Sequence, residues 1–140
     1  MELSNITAAI RVDTATNQGS VIDVIRLVNP NPTSGNAANV LANLTKDVTL
    51  NYSHLRINAK GKPTPCADAK TLVEIVWSLP GKAAREFRRT SAKTVCRVLG
   101  GDLSIVQEIE KRHHTLQQTE GGRAAQAFML ADSDDSSDGF

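Results

Sequence analysis

Aromatic residues make up only 4% of the 140-residue sequence, so a core has to be assembled from Val, Ile, Leu and Ala. Cysteine occurs twice, at Cys66 and Cys96, with no CxxC pair and no spacing to the three histidines that suggests zinc. Both are expected as free, reduced thiols, Cys96 half-buried, in an intracellular protein. No apolar run approaches the roughly 18 residues that span a membrane. The start, "MELSNITAAIRV", lacks the basic region and apolar stretch of a secretory signal. Catalytic signatures are scarce too. "LGGD" lacks the Gly-Lys-Ser/Thr ending of a phosphate loop. Ser91 has no arrangement of His and acid around it, and no paired carboxylates stand at a hydrolytic spacing. His113 and His114 follow Lys111 and Arg112 near a helix end, where cations meet the helix dipole. An enzyme, a metal site, a cofactor, a small-molecule substrate and a membrane association are therefore not expected.

What is present is a globular composition. The apolar fraction of 40% and charged fraction of 22% suit one compact domain with a real core. The net charge of +1 hides an asymmetry: the last ten residues, "ADSDDSSDGF", hold four Asp and no base. The first 130 residues hold all 16 Lys and Arg against 11 acids, a net +5. A tail of Asp, Ser and Gly cannot bury enough surface to order itself. The chain therefore divides into a basic domain over 1–118 and a flexible C-terminal segment over 119–140 with an acidic end.

Along the domain, "AAIRV", the turn "TATNQG" ending in Gly19, and "SVI" read as a hairpin. A short helix is expected from Asp23. After the Pro30–Pro32 loop, Ser34 can cap a second helix with Ala38, Leu41 and Leu44 on one face. "HLRINAKGKPTPC" reads as a second hairpin with Lys60, Gly61 and Lys62 at its tip. Pro63 and Pro65 are expected to confine the return strand to an edge. Asp68 is an N-cap for a helix whose Ala69, Leu72, Val73, Val76 and Trp77 share a core-facing side.

"LPG" at 79–81 ends that helix, and six bases against one acid follow between Lys82 and Arg97. On one helix over 82–99, Arg85, Arg89, Lys93 and Arg97 lie within about 60° of Lys82. Phe87, Val95 and Val98 fall opposite, flanked by Ala83 and Ala84, and are expected to face the core. Arg88 sits on a flank. "GG" at 100–101 ends the helix, and Asp102 caps another with an apolar seam of Leu103, Val106, Ile109 and Leu116. An apolar helix, a three-residue turn and a basic helix follow the plan of a helix-turn-helix, whose second helix can lie in the major groove. Phosphates would meet the stripe of Lys82, Arg85, Arg89, Lys93 and Arg97. Arg88, Lys60 and Lys62 would contact phosphates at its flanks.

The segments "AAIRVDTATNQGSVIDVIRLV", "GKPTPCADAKTLVEIVWSLPGKAAREFRR" and "VCRVLGGDLSIVQEIE" resemble the KilA-N and BRO N-terminal domains of large DNA viruses and phages. The resemblance spans roughly residues 5 to 112 and departs from the family in its lack of aromatic-rich segments. It implies a compact α+β domain that binds DNA, often without a cofactor. Taken together, the expectation is a small α+β domain of two β-hairpins and about four helices, including a helix-turn-helix-like pair. It would bind DNA, as a duplex, inside the cell, and in the nucleus or host interior if viral. The rival expectation is a non-enzymatic interaction module: the 102–118 seam would pair with a copy of itself in a homodimer, and the basic stripe would dock an acidic partner.

Overall fold

A computed structural model of the chain describes residues 6–30, 34–47 and 49–131. After a one-turn helix α1 (Ile6–Ala9), strand β1 (Val12–Asp13) pairs antiparallel with β2 (Gln18–Ser20). Asp13 closes the turn between them, accepting from Thr16 N at 3.1 Å and Thr16 Oγ1 at 2.7 Å. Gly19 is not the end of the turn, as the sequence suggested, but lies within β2, opposite Val12 on one side and Ala67 on the other. A Cβ there would stand 2.8 Å from Ile10 Cδ1, 3.0 Å from Leu72 Cδ1 and 3.2 Å from Phe128 Cζ. Three core side chains converge on this one strand position, and only glycine leaves room for them.

Ser20 ends β2 and caps α2 (Val21–Val28), its Oγ accepting from Asp23 N at 3.1 Å. The helix therefore begins two residues before the expected start at Asp23. Val21, Val24, Ile25 and Val28, at i, i+3, i+4 and i+7, are all buried. Asp23 is bound by Arg11 through the guanidinium, at 2.9 and 3.1 Å, and through the backbone N at 2.9 Å. Burial works against ionisation of Asp23, but these bonds prevail and hold its carboxyl below the usual range. Helix α3 (Ser34–Asp47) packs on α2 with Ala37 and Leu41 inward. Ala38, expected on that face, is exposed.

The second hairpin, β3 (Ser53–Leu55) and β4 (Thr64–Ala67), joins the first in one antiparallel sheet of order β1-β2-β4-β3. The return strand β4 is thus internal, not an edge. Pro65 is tolerated within it because β2 reaches only Cys66 and Ala67. Pro65 has a strand neighbour, His54, on one side alone. Asn58, at φ 52° between β3 and β4, ties the two hairpins together. Its backbone N donates to Asp13 at 2.7 Å, and its Oδ1 accepts from Thr14 N at 3.0 Å.

Asp68 caps α4 (Ala69–Ser78), accepting from Thr71 N at 2.8 Å. Leu72, Ile75 and Val76 of α4 meet α2 in the core, and Leu79 closes it from beyond the helix end. Trp77, expected inside, is 39% exposed and meets Phe87 edge-on at 6.4 Å. Helix α5 (Lys82–Leu99) has the boundaries that the sequence predicts, but Ala84 alone is fully buried on it, with Ala83 and Phe87 packed at the core's margin. Val95 and Val98, expected to face the core, are exposed. The reason is length: α4, on which α5 packs, has 10 residues against 18 in α5, about 15 Å against 27 Å.

Helices α6 (Ser104–Gln117) and α7 (Glu120–Leu130) complete the described chain. Helix α7 overturns the expected boundary at 118. Thr119 caps it, accepting from Gly122 N at 2.9 Å, and α7 packs on α6 and α4. Phe128, only 2% exposed, belongs to the core. The flexible segment expected over 119–140 is therefore wrong for 119–131, while the acidic stretch 132–140 lies outside the described residues. The fold is α+β, as expected, with both hairpins in one sheet; among the described residues it has seven α-helices and a short 3-10 turn (Ile57–Ala59), more than the four or so expected. No described helix is long and apolar enough to cross a membrane.

Candidate nucleic-acid interface

The basic helix is held in place by its turn. Gly81 takes φ 107°, a conformation that L side chains rarely adopt, and a Cβ there would meet Asn29 Oδ1 at 2.8 Å. The Asn29 amide donates to Pro80 O at 3.2 Å, which ties the turn to the end of α2. From α5, Arg88 Nη1 donates to Trp77 O at 3.0 Å and to Leu79 O at 2.9 Å. These are carbonyls at the C-terminus of α4 that the helix itself leaves without partners. Arg88 is thereby a clamp between the two helices.

Arg97 is engaged as well. Its Nε donates to Asp102 at 2.9 Å, Nη1 to Glu108 at 2.8 Å and Nη2 to Ser104 Oγ at 2.9 Å. The bonds to Glu108, then Asp102, hold the guanidinium still more firmly protonated. The Ser104 hydroxyl, followed by Arg97, pulls the Asp102 carboxyl down to about 2. Gly101, at φ 67°, turns the chain: Asp102 N donates to Arg97 O at 2.9 Å and Gly101 N to Val98 O at 3.1 Å. This double bond pattern is a Schellman ending. Arg97 is engaged in this α5–α6 corner by two carboxylates and a hydroxyl.

Four stripe residues are left. Lys82, Arg85, Arg89 and Lys93 are all exposed, and among the described residues none has a side-chain hydrogen bond or ion pair. At about 100° per residue they occupy one arc of roughly 80° along three turns of α5. Cys96 sits near the same arc and is exposed rather than half-buried, because no described residue packs over that side. Cys66 is buried, and burial, more than its charged neighbours, pushes its thiol up. Both cysteines are free.

The hairpin tip is built separately. Arg56 fixes it by donating to Gly61 O at 2.9 Å and Ala59 O at 3.0 Å, leaving Lys60 and Lys62 exposed. Lys62 lines an open cleft of about 720 Å³ between α2, α3 and the second hairpin, together with Arg11, Arg26, Tyr52 and His54. No residue of α5 lines this cleft. Among the described residues no group of three or more His, Cys, Asp or Glu is placed to hold a metal ion.

Sequence periodicity missed one surface. Val95, Val98 and Leu99 of α5, Leu103, and Val106 and Ile109 of α6 are between 45% and 81% exposed. The available signal was the unequal length of α4 and α5, which leaves the second half of α5 without a partner. The chain matches no known family model, no curated protein and no solved structure.

Proposed function

We propose that this protein binds duplex DNA through the stripe of Lys82, Arg85, Arg89 and Lys93, without catalysis or cofactor. The observation that carries the reading is that four cations, free of partners, share one solvent-facing arc of a helix packed on α4 by its other side. Unpaired cations on a helix narrow enough for a major groove are available to phosphates on both walls. A cation already bound to carboxylates, as Arg97 is, is not. The likeness of its segments to KilA-N and BRO N-terminal domains points the same way, and would place the protein inside a cell, in the nucleus or host interior if viral. Lys60 and Lys62, at the hairpin tip, are proposed as secondary phosphate contacts.

Four phosphate contacts imply that log affinity falls against log salt with a slope of about −3.6. Replacing Arg85, Arg89 and Lys93 with Gln keeps helix propensity and removes no contact within the fold. The variant is expected to melt like the parent, with its slope reduced in magnitude by about 2.7. A variant that melts like the parent and binds duplex DNA with unchanged affinity and slope sinks the proposal. The exposed apolar corner would then favour the interaction-module reading.

A further inference from the structure

We infer that the apolar corner of α5 and α6 is a self-association surface, occupied by the same corner of a second copy of this chain. The side chains of Val95, Val98, Leu99, Leu103, Val106 and Ile109 follow one another around the turn at Gly100–Gly101 and stand in solvent. They offer on the order of 600 Å² of apolar surface, at the upper end of the largest patch on a typical monomer. Two such faces together reach about 1,200 Å², the lower bound for a stable interface.

The composition of the face selects the occupant. It is aliphatic throughout, built from the same Val, Leu and Ile as the core. It contains no Trp, Tyr or Arg, the anchors that dominate interfaces between unlike, separately stable partners. An interface that resembles a core cut in half is characteristic of homodimers. Two carboxylates beside the face, Asp102 and Glu108, are already bound to Arg97. A twofold arrangement also suits a surface confined to one corner, because the patch need only match itself.

The placement has a consequence for the proposed DNA stripe, on which the self-association itself does not depend. Val95 and Val98 lie about 140° to 160° around α5 from Lys82. Burying the apolar side therefore leaves Lys82, Arg85, Arg89 and Lys93 open, and a dimer presents two basic helices.

Sedimentation equilibrium of the full chain without DNA tests this. The parent is expected at twice its 15.0 kDa chain mass in the micromolar range. Leu99→Glu with Leu103→Glu changes the two most exposed members of the patch. It should keep the far-ultraviolet circular dichroism of the parent and weaken dimerisation by at least about 100-fold, because two carboxylates would be buried without partners. Lys93→Gln, on the opposite arc, should leave dimerisation unchanged. A parent that stays monomeric at about 100 μM, tenfold or more above that range, overturns the inference. So does a double variant that dimerises like the parent, and neither result bears on whether the stripe binds DNA. If the double variant loses its helical signal, Val98→Ser replaces it as the milder probe, and an unchanged dimer constant in that variant is again decisive against the inference.

Discussion

Arg88 and Arg89 are consecutive and chemically identical, yet the structure gives them opposite roles. Arg88 turns back onto the carbonyls of Trp77 and Leu79, while Arg89 meets only solvent. Arg88→Gln is therefore expected to cost about 1 kcal/mol of stability, the scale of a hydrogen-bonded charge in a half-open site. Its effect on the slope of DNA affinity against salt should be negligible. Arg89→Gln should be neutral in denaturant titrations and reduce the slope by about 0.9. Charge periodicity found both residues but could not separate them, because the carbonyls that claim Arg88 belong to the preceding helix. The same blindness hid Asp13, which draws no notice between the strand and the turn and is a buried junction between hairpins. The Thr16 hydroxyl, then the Asn58 N–H, hold its carboxyl below the ordinary carboxylate range. A carboxyl depressed on folding contributes stability that is present above its unfolded value, near 3.9, and is lost as pH falls through the folded value. Asp13→Asn should thus be destabilising at neutral pH, and the gap to the parent should narrow as pH is lowered below about 4. Urea midpoints for both chains across that range measure it; a gap that is constant with pH would mean the ionised form is not what the site recognises.

At the scale of elements, what was legible depended on punctuation. Helix α5 was legible to the residue because Leu79–Pro80–Gly81 and Gly100–Gly101 bracket it, and α4 because Asp68 caps it. The partner of an apolar face was not legible. Periodicity says which side of a helix is apolar, not whether a neighbour is long enough to cover it, so Val95 and Val98 were wrongly placed inside. Helix α7 was missed because "TEGGRAAQAFML" carries two glycines and leads into an acidic end, both of which read as loop. Gly122 has a packing reason: a Cβ there would come within 2.2 Å of Leu116 O at the end of α6. Gly122→Ala should accordingly destabilise the α6–α7 corner by about 1–3 kcal/mol, although alanine is the better helix former. Phe128→Ala should cost about 3–5 kcal/mol, since the ring fills the space above Gly19 beside Ile10 and Leu72. A chain cut after residue 118 loses the same ring together with its helix and should melt far below the parent, whereas one cut after residue 131 should melt with it. Thermal melts of the two truncations decide whether α7 belongs to the domain.

For the whole molecule, the small net charge is a sum of two unlike parts. The first 130 residues carry 16 bases against 11 acids, and the last ten carry four Asp. If the stripe binds DNA as proposed, a polyanion in the same chain would compete with DNA phosphates for whatever cations are free. In the described fold the cations of α5 that are free are Lys82, Arg85, Arg89 and Lys93, since Arg88 and Arg97 are already engaged. Such competition has a definite salt signature. Charges attract across about 30 Å at 0.01 M salt and only about 3 Å at 1 M, so the competitor loses its effect as salt rises. Deleting residues 131–140 should therefore tighten duplex binding at least about threefold near 0.01 M salt and leave it unchanged towards 1 M. The competition also has a definite address. In the Arg85→Gln, Arg89→Gln, Lys93→Gln background, the deletion should have almost no effect, because the tail and the DNA would no longer share a target. A deletion that tightens binding equally in both backgrounds would mean that the tail repels DNA through the charge of the whole molecule. A deletion with no effect in either background, at any salt, would remove the tail from the mechanism while leaving the stripe to be judged by its own substitutions.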